Sequence, residues 1–230
     1  MKNRVLIMTG ASSINRPPEE TDNTIEEVLD ATLPSKQRYA KKYGYDLLSM
    51  RSFGIDKKYG FKDTEIGFLR AVRAFEMLEY YDIVMWIDAD SIITNDNYAI
   101  ENFQLNEDCA FYASYDWIGR FTFSTGNFII QNTKQTNEFL NIFYNVAKQF
   151  PTEQDALNAI HCGTNFNSAI KVLEHNFLNA VHSAIMDTTC WTGRSPIFAP
   201  WNENAFLAHL TGVSNRNRIE ILNKHLNKYL

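Results

Sequence analysis

The feature that most constrains this chain is Ile83-Val84-Met85-Trp86-Ile87, an unbroken apolar run that stops at Asp88-Ala89-Asp90. A run of this kind reads as a strand buried on both faces, and such a strand needs helices to cover it. The residues just upstream supply one. From Thr64 to Tyr80, Phe68, Ala71, Val72, Phe75 and Leu78 recur with the spacing of a single buried helical face. Earlier still, Val5 to Met8 reads as a strand, 23 to 43 as a helix interrupted near Pro34 and stopped by Gly44, and Asp46 to Ser49 as a second strand. The alternation of strand and helix over the first ninety or so residues predicts an α/β fold with a parallel sheet.

Downstream, Cys109 to Ser114 and Phe121 to Gln131 read as strands. Phe139, Leu140, Phe143, Val146, Ala147 and Phe150 share one helical face. Pro151 then breaks the chain, and Thr152 with Asp155 can cap a new helix reaching Ile160. Residues 188 to 204 are loop-like but rich in Trp191, Pro196, Phe198, Pro200 and Trp201, a composition that suits the wall of a cleft. The last stretch, Asn217 to Leu230, is an amphipathic helix whose first role is packing on the core, with peripheral membrane contact as a second role.

With 230 residues, 45% of them hydrophobic, and no repeat or linker, the chain is expected to form one domain spanning 1–230. A net charge of -5 excludes a nucleic-acid binder held by a basic surface, so phosphate partners require local cations or a metal. Cys109, Cys162 and Cys190 are widely spaced and fit neither a disulfide framework nor a zinc knuckle. No apolar stretch approaches the roughly 18 residues of a membrane span, and a soluble, cytoplasmic protein is expected.

Asp88 and Asp90 stand directly after a buried strand. In parallel sheets ligands bind beyond the carboxyl ends of strands. Hard divalent ions such as Mn²⁺ or Mg²⁺ take oxygen ligands and commonly join one or two carboxylates to substrate phosphates. A solvated pair of acids at a strand end is the plain alternative. Aspartyl phosphoryl transfer is another, but the phosphatases that use it carry the motif on their first strand, and the later acidic pair with a lysine is missing here.

WIDADSIITN, STGNFIIQN at 124–132, EQDAL at 153–157 and HLTG at 209–212, with RYAKKYGYDLL at 38–48, together resemble the ordered motifs of glycosyltransferase family 34, the galactosyl/mannosyl/xylosyltransferase group with a GT-A fold. The resemblance spans nearly the whole chain. It implies a single GT-A, Rossmann-like domain with a mostly parallel central sheet flanked by helices. Residues 1–95 form its nucleotide-binding half and 96–230 the half for donor sugar and acceptor.

The resemblance further implies a metal-dependent, retaining transfer from a nucleoside-diphosphate sugar, UDP favoured over GDP, to a glycan or other hydroxyl acceptor. Asp88 and Asp90 become metal ligands, with Asp88 and Ala89 also at the nucleotide, and His209 is the third ligand of a Mn²⁺ or Mg²⁺ ion. An imidazole suits such a borderline ion. Gly126 and Asn127 border the donor sugar, although a strand bulge also accounts for the glycine. Gln154 and Asp155 carry the catalytic roles near the anomeric carbon, while Glu153 is accounted for by the helix dipole. Thr9, Gly10 and Ala11 are candidate contacts to base and ribose, and Gly212 offers a backbone N–H to the diphosphate. Arg216 and Arg218 are candidate phosphate cations in place of the lysine that related enzymes carry. Tyr45 and Lys62 are left unassigned, and the Trp191–Trp201 loop is assigned to the acceptor side. Relatives usually carry an N-terminal membrane anchor; this chain begins at its first strand, which points to a soluble bacterial or viral counterpart. A nucleotide-sugar-binding module without transfer is the alternative from another class.

Overall fold

The computed structural model describes residues 3–12, 23–54, 60–61, 65–103, 105–117, 121–163, 167–185 and 200–230. Lys62 and the Trp191–Phe198 part of the aromatic loop lie outside the described residues. The strands are β1 Val5–Gly10, β2 Asp46–Met50, β3 Ile83–Ile87, β4 Ser91–Ile93, β5 Phe111–Tyr115, β6 Phe123–Gln131, β7 Ile170–Leu173 and β8 Leu207–His209. The α-helices are α1 Ile25–Tyr43, α2 Ile66–Glu76, α3 Thr136–Ala147, α4 Glu153–Gly163, α5 His175–Leu178 and α6 Asn215–Ile221.

Six strands form the central sheet in the order β2-β1-β3-β6-β5-β7. The pairs β1–β2, β1–β3 and β5–β7 are parallel, and β6 runs against both β3 and β5. Five strands therefore point one way and β6 opposes them, as the mostly parallel α/β reading expects. Period-two alternation divides the core. Leu6, Met8, Val84, Trp86, Phe128 and Ile130 face α2, α3 and α4, whereas Val5, Ile7, Ile83, Met85, Ile87 and Ile129 face α1 through Tyr39 and Ala40.

One expectation is corrected. Helix α1 runs through Pro34 without a break and ends at Gly44, which adopts φ 72°. Pro34 removes one backbone donor, but the buried face of Val28, Leu29, Thr32, Ser35, Lys36, Tyr39 and Ala40 extends on both sides of it and holds the helix together. The start is fixed by a reciprocal cap: Thr24 Oγ1 accepts from the Glu27 N–H and the Glu27 carboxylate accepts from the Thr24 N–H.

The pair β4–β8 is what places the candidate site. These two short strands are antiparallel, with Ser91 opposite His209. The Leu210 N–H donates to the Asp90 carbonyl at 2.9 Å, and the Ser91 N–H closes a turn on Asp88 at 3.1 Å. His209, more than a hundred residues away in sequence, is thereby set beside the Asp88–Asp90 turn. The C-terminal segment continues α6 through a π-helical turn, Leu222–Leu226. Its apolar residues Ile221, Leu222 and Leu226 pack on Ile92, Val181, Ala208 and Leu210, the core-packing role expected for this segment. No helix among the described residues is long and apolar enough to cross a membrane.

Candidate active site

Along the carboxyl edge of the sheet, the ends of β1 and β3 and the start of α4 enclose a cavity of about 560 Å³. Its wall includes Gly10, Ala11 and Ser12 after β1, Asp88 to Asp90 after β3, Glu65 to Phe68 at the start of α2, Thr152 and Glu153 at the start of α4, and Arg218 from α6. Ligand atoms of Asp88, Asp90 and His209 all lie within 4.8 Å of one another. Two carboxylates and one imidazole at that separation form a donor set suited to a divalent ion of the Mn²⁺ or Mg²⁺ kind. These three residues would hold it.

Each ligand is oriented by a partner that the topology supplies. The His209 Nδ1 is 2.9 Å from Asn179 Oδ1, so its Nε2 is turned to Asp90 Oδ1 at 3.4 Å. Fixing one ring nitrogen in this way sets the tautomer that leaves the other free to ligate. Asp90 is only 6% exposed, and its other oxygen, Oδ2, pairs with Arg218 Nη2 at 2.8 Å. Burial pushes the Asp90 carboxyl upward, but Arg218 and His209 outweigh it and hold the group well below the usual carboxylate range. Arg218 is itself anchored on the Leu210 carbonyl at 3.0 Å and Asn215 Oδ1 at 2.6 Å.

Asp88 accepts from Trp86 Nε1 at 2.6 Å and from the Arg70 guanidinium, while its backbone N–H donates to Asn127 Oδ1 at 3.0 Å. Arg70 also pairs with Glu153, so one buried guanidinium joins the carboxylates of β3 and α4. Burial opposes the charge on Arg70, but Asp88 and Glu153 more than offset it and shift its pKa upward.

The glycines explain why the cluster can close. A Cβ on Gly126 would lie 2.4 Å from His209 Cε1 and 3.1 Å from Asp88 Oδ2. A Cβ on Gly67 would lie 1.8 Å from Glu153 Oε2. Both positions need a residue without a side chain because His209, Asp88 and Glu153 occupy that volume.

The residues expected from sequence fall into three groups. Asp88, Ala89, Asp90 and His209 are brought together, and Gly126 and Asn127 pack directly on them through His209 and the Asp88 backbone. Gly10 and Ala11 line the cavity, whereas Thr9 is fully buried behind it. Gln154 turns its side-chain oxygen onto the Thr125 N–H at 3.0 Å, and Asp155 is occupied with Thr152 in the α4 cap, so neither forms part of the cavity wall. Gly212 sits in an exposed turn with φ 77° leading to α6. Arg216 pairs with Glu220 at the surface. Tyr45 is buried against Glu101 and the Ile100 N–H, away from the cavity. Trp201, the described end of the aromatic loop, stacks on His182 and donates to Thr94 Oγ1 at 2.9 Å.

Sequence reasoning missed Arg70, Gly67 and Asn179, and it left Glu153 to the helix dipole. Arg70 is 18 and 83 residues from its two carboxylate partners, and no local pattern marks such a pair.

A glycosyltransferase involved in the glycosylation of the major capsid of PBCV-1 superposes with a TM-score of 0.63 at 18% identity, covering 96% of this chain and 98% of that one. GlyE, a glycosyltransferase of Streptococcus pneumoniae TIGR4, gives 0.54 at 14% identity over 98% of this chain and 64% of that one. The galactosyltransferase LgtC, solved with donor and acceptor sugar analogs, gives 0.53 at 13% identity over 90% and 87%. The architecture is thus the GT-A fold of glycosyltransferases. No curated protein sequence matches significantly. A family model matches residues 37–189, most of the chain, and by that match this protein belongs to the family described as protein of unknown function, DUF273.

Proposed function

We propose that this chain is a metal-dependent glycosyltransferase that moves a sugar from a nucleoside diphosphate, UDP favoured, to a hydroxyl of a glycan or similar acceptor. The observation that carries this reading is the convergence of Asp88, Asp90 and His209 within 4.8 Å of one another, beside the cavity that Asp88 and Asp90 line. A divalent ion bound there supplies positive charge to the leaving diphosphate. The GT-A architecture adds support, since its solved relatives include enzymes that transfer sugars.

The chain's own groups divide the work. Gly10 and Ala11, at the end of β1, receive the base and ribose, with buried Thr9 behind them. Arg218 reaches the cavity from α6 and adds a fixed positive charge beside Asp90. It takes the place of the missing lysine. At the other end, Asp88 and Glu153, joined to each other by Arg70, offer a polar wall to the donor sugar. Gln154 holds Thr125 and braces the β6 backbone next to Gly126, which makes its contribution orientation and electrostatic support. Asp155 holds the start of α4 by its cap with Thr152.

As the anomeric C–O bond to the diphosphate breaks, the acceptor oxygen bonds to the same face of the sugar. Its proton passes to a diphosphate oxygen, and the product keeps the donor configuration. Incubation with Mn²⁺, a panel of UDP- and GDP-sugars and glycan acceptors, followed by NMR of the product, tests this. A product of retained configuration is expected. An inverted product overturns the route, and metal-dependent donor binding without turnover on any acceptor favours a binding module.

A further inference from the structure

Lys36 lies on the buried face of α1 and is completely excluded from solvent. Its Nζ donates to Thr32 Oγ1 at 2.8 Å, the one hydrogen-bond partner it has among the described residues. Thr32 Oγ1 in turn donates to the carbonyl of Ala89 at 2.7 Å, the central residue of the Asp88–Asp90 turn. One turn of helix thus connects a buried ammonium to the middle of the candidate metal site. Ser35, beside it, accepts from the Ile93 N–H at 3.2 Å and fixes α1 on the strand that follows the turn.

The layer between α1 and the strands holds further buried hydroxyls, and two of them are unsatisfied among the described residues. Thr9 shares its strand face with Val5 and Ile7, and Ser91 shares its face with Ile93; all three of those apolar residues pack in the layer that contains Tyr39 and Ala40 of α1. Both hydroxyls are fully buried and have no hydrogen-bond partner among the described residues. A Met or Leu at position 36 would fill such a layer without the cost of desolvating an ammonium. What Lys36 adds, and an apolar residue cannot, is charge. Burial lowers the pKa of Lys36 to about 7, and the carboxylates of Asp90 and Asp88 resist that shift, so the charged form persists up to about neutral pH.

We propose that Lys36 is a positioning residue of the candidate metal site, a built-in positive charge that holds the Asp88–Asp90 turn when no ion is bound and opposes the divalent ion when it arrives. The inference rests on the reading of Asp88, Asp90 and His209 as ligands of a divalent ion. Lys36 touches neither substrate nor metal in this scheme. It sets the affinity of the site low enough for the ion and the diphosphate to be bound and released together.

The test is Mn²⁺ titration by calorimetry on the wild type, Lys36→Met and Lys36→Arg, at about pH 6.5 where the ammonium form is retained, its pKa being about 7. Removal of an opposing buried charge is expected to tighten Mn²⁺ binding by at least about tenfold in Lys36→Met, with Lys36→Arg within about threefold of wild type. A purely structural lysine would give the opposite, weaker binding on loss of its side chain. Unchanged or weaker binding by folded Lys36→Met overturns the role of Lys36 alone. No binding by the wild type overturns the metal site and this inference with it. Should Lys36→Met fail to fold, selective ¹³C labelling of lysine Cε in the wild type decides the matter. Saturable movement of the Lys36 resonance on addition of Mg²⁺ supports the inference, and an unmoved resonance in a protein that binds the ion overturns it.

Discussion

Gly126 and His209 occupy one volume: a Cβ on residue 126 would lie 2.4 Å from His209 Cε1 and 3.0 Å from its Nε2. The glycine on β6 is therefore the seat of the imidazole. Gly126→Ala is expected to displace the ring and weaken Mn²⁺ binding by about tenfold or more, as the loss of an orienting partner does elsewhere. Calorimetric titration with a parallel thermal melt checks this; an alanine variant that folds and binds Mn²⁺ like the wild type would show that the ring has room to move without loss.

Asn179 and His209 form the second relationship of this kind. The Asn179 Oδ1 accepts from the His209 Nδ1–H at 2.9 Å when the ring ligates through Nε2. Asn179→Ala is expected to cost roughly ten- to a hundredfold in metal affinity, and about 1–3 kcal/mol in stability because its buried amide also donates to the Tyr115 carbonyl at 3.0 Å. Asn179→Asp, which keeps the acceptor, should restore much of the affinity. Equal affinity in all three proteins would remove Asn179 from the account.

Arg70 makes a prediction about folding rather than metal. It joins Asp88 and Glu153 with a side chain only 13% exposed. Arg70→Met removes the cation that Asp88 and Glu153 share, leaving the buried Glu153 carboxylate without its partner charge, and should destabilise the fold by roughly 3 kcal/mol. The double variant Arg70→Met/Glu153→Gln should recover part of that loss. Strict additivity in urea unfolding would contradict the coupling.

Lys36 gives the fold a pH signature. Burial lowers its pKa from 10.5 to about 7 in the folded chain, with Asp90 and Asp88 opposing the shift. Below pH 7 both folded and unfolded chains carry the proton, and stability does not respond through this group. Between about pH 7 and 10.5 the unfolded chain binds a proton that the folded chain lacks, so Lys36 makes stability rise with pH, approaching ~5 kcal/mol across that window. Denaturant unfolding of wild type against Lys36→Met measures the difference, and parallel pH profiles for the two would contradict it.

Much of this architecture is legible in the sequence because it is written locally. The apolar run of β3 and the one-sided periodicity of α2 are patterns of adjacent residues, and Phe68, Ala71, Val72, Phe75 and Leu78 are all buried as their spacing expects. Asp88 and Asp90 are legible for the same reason, since they end that run. Pro34 misleads because its local effect, a missing donor, is offset by packing along the whole face of α1. The groups that orient the site are not legible. Arg70 and Asn179 have partners brought by the sheet order and by the β4–β8 pairing, and Lys36 reaches the site only through Thr32, whose contact with Ala89 spans 57 residues, so their neighbours in sequence carry no trace of these links.

The most direct measurement of the central claim is the NMR time course of donor consumption by the wild type, Asp90→Ala and His209→Ala, each with Mn²⁺ and with chelator. The account predicts metal-dependent turnover by the wild type, arrested by chelator, and none by either variant although both remain folded. Turnover that persists in the variants, or in chelator, would contradict it.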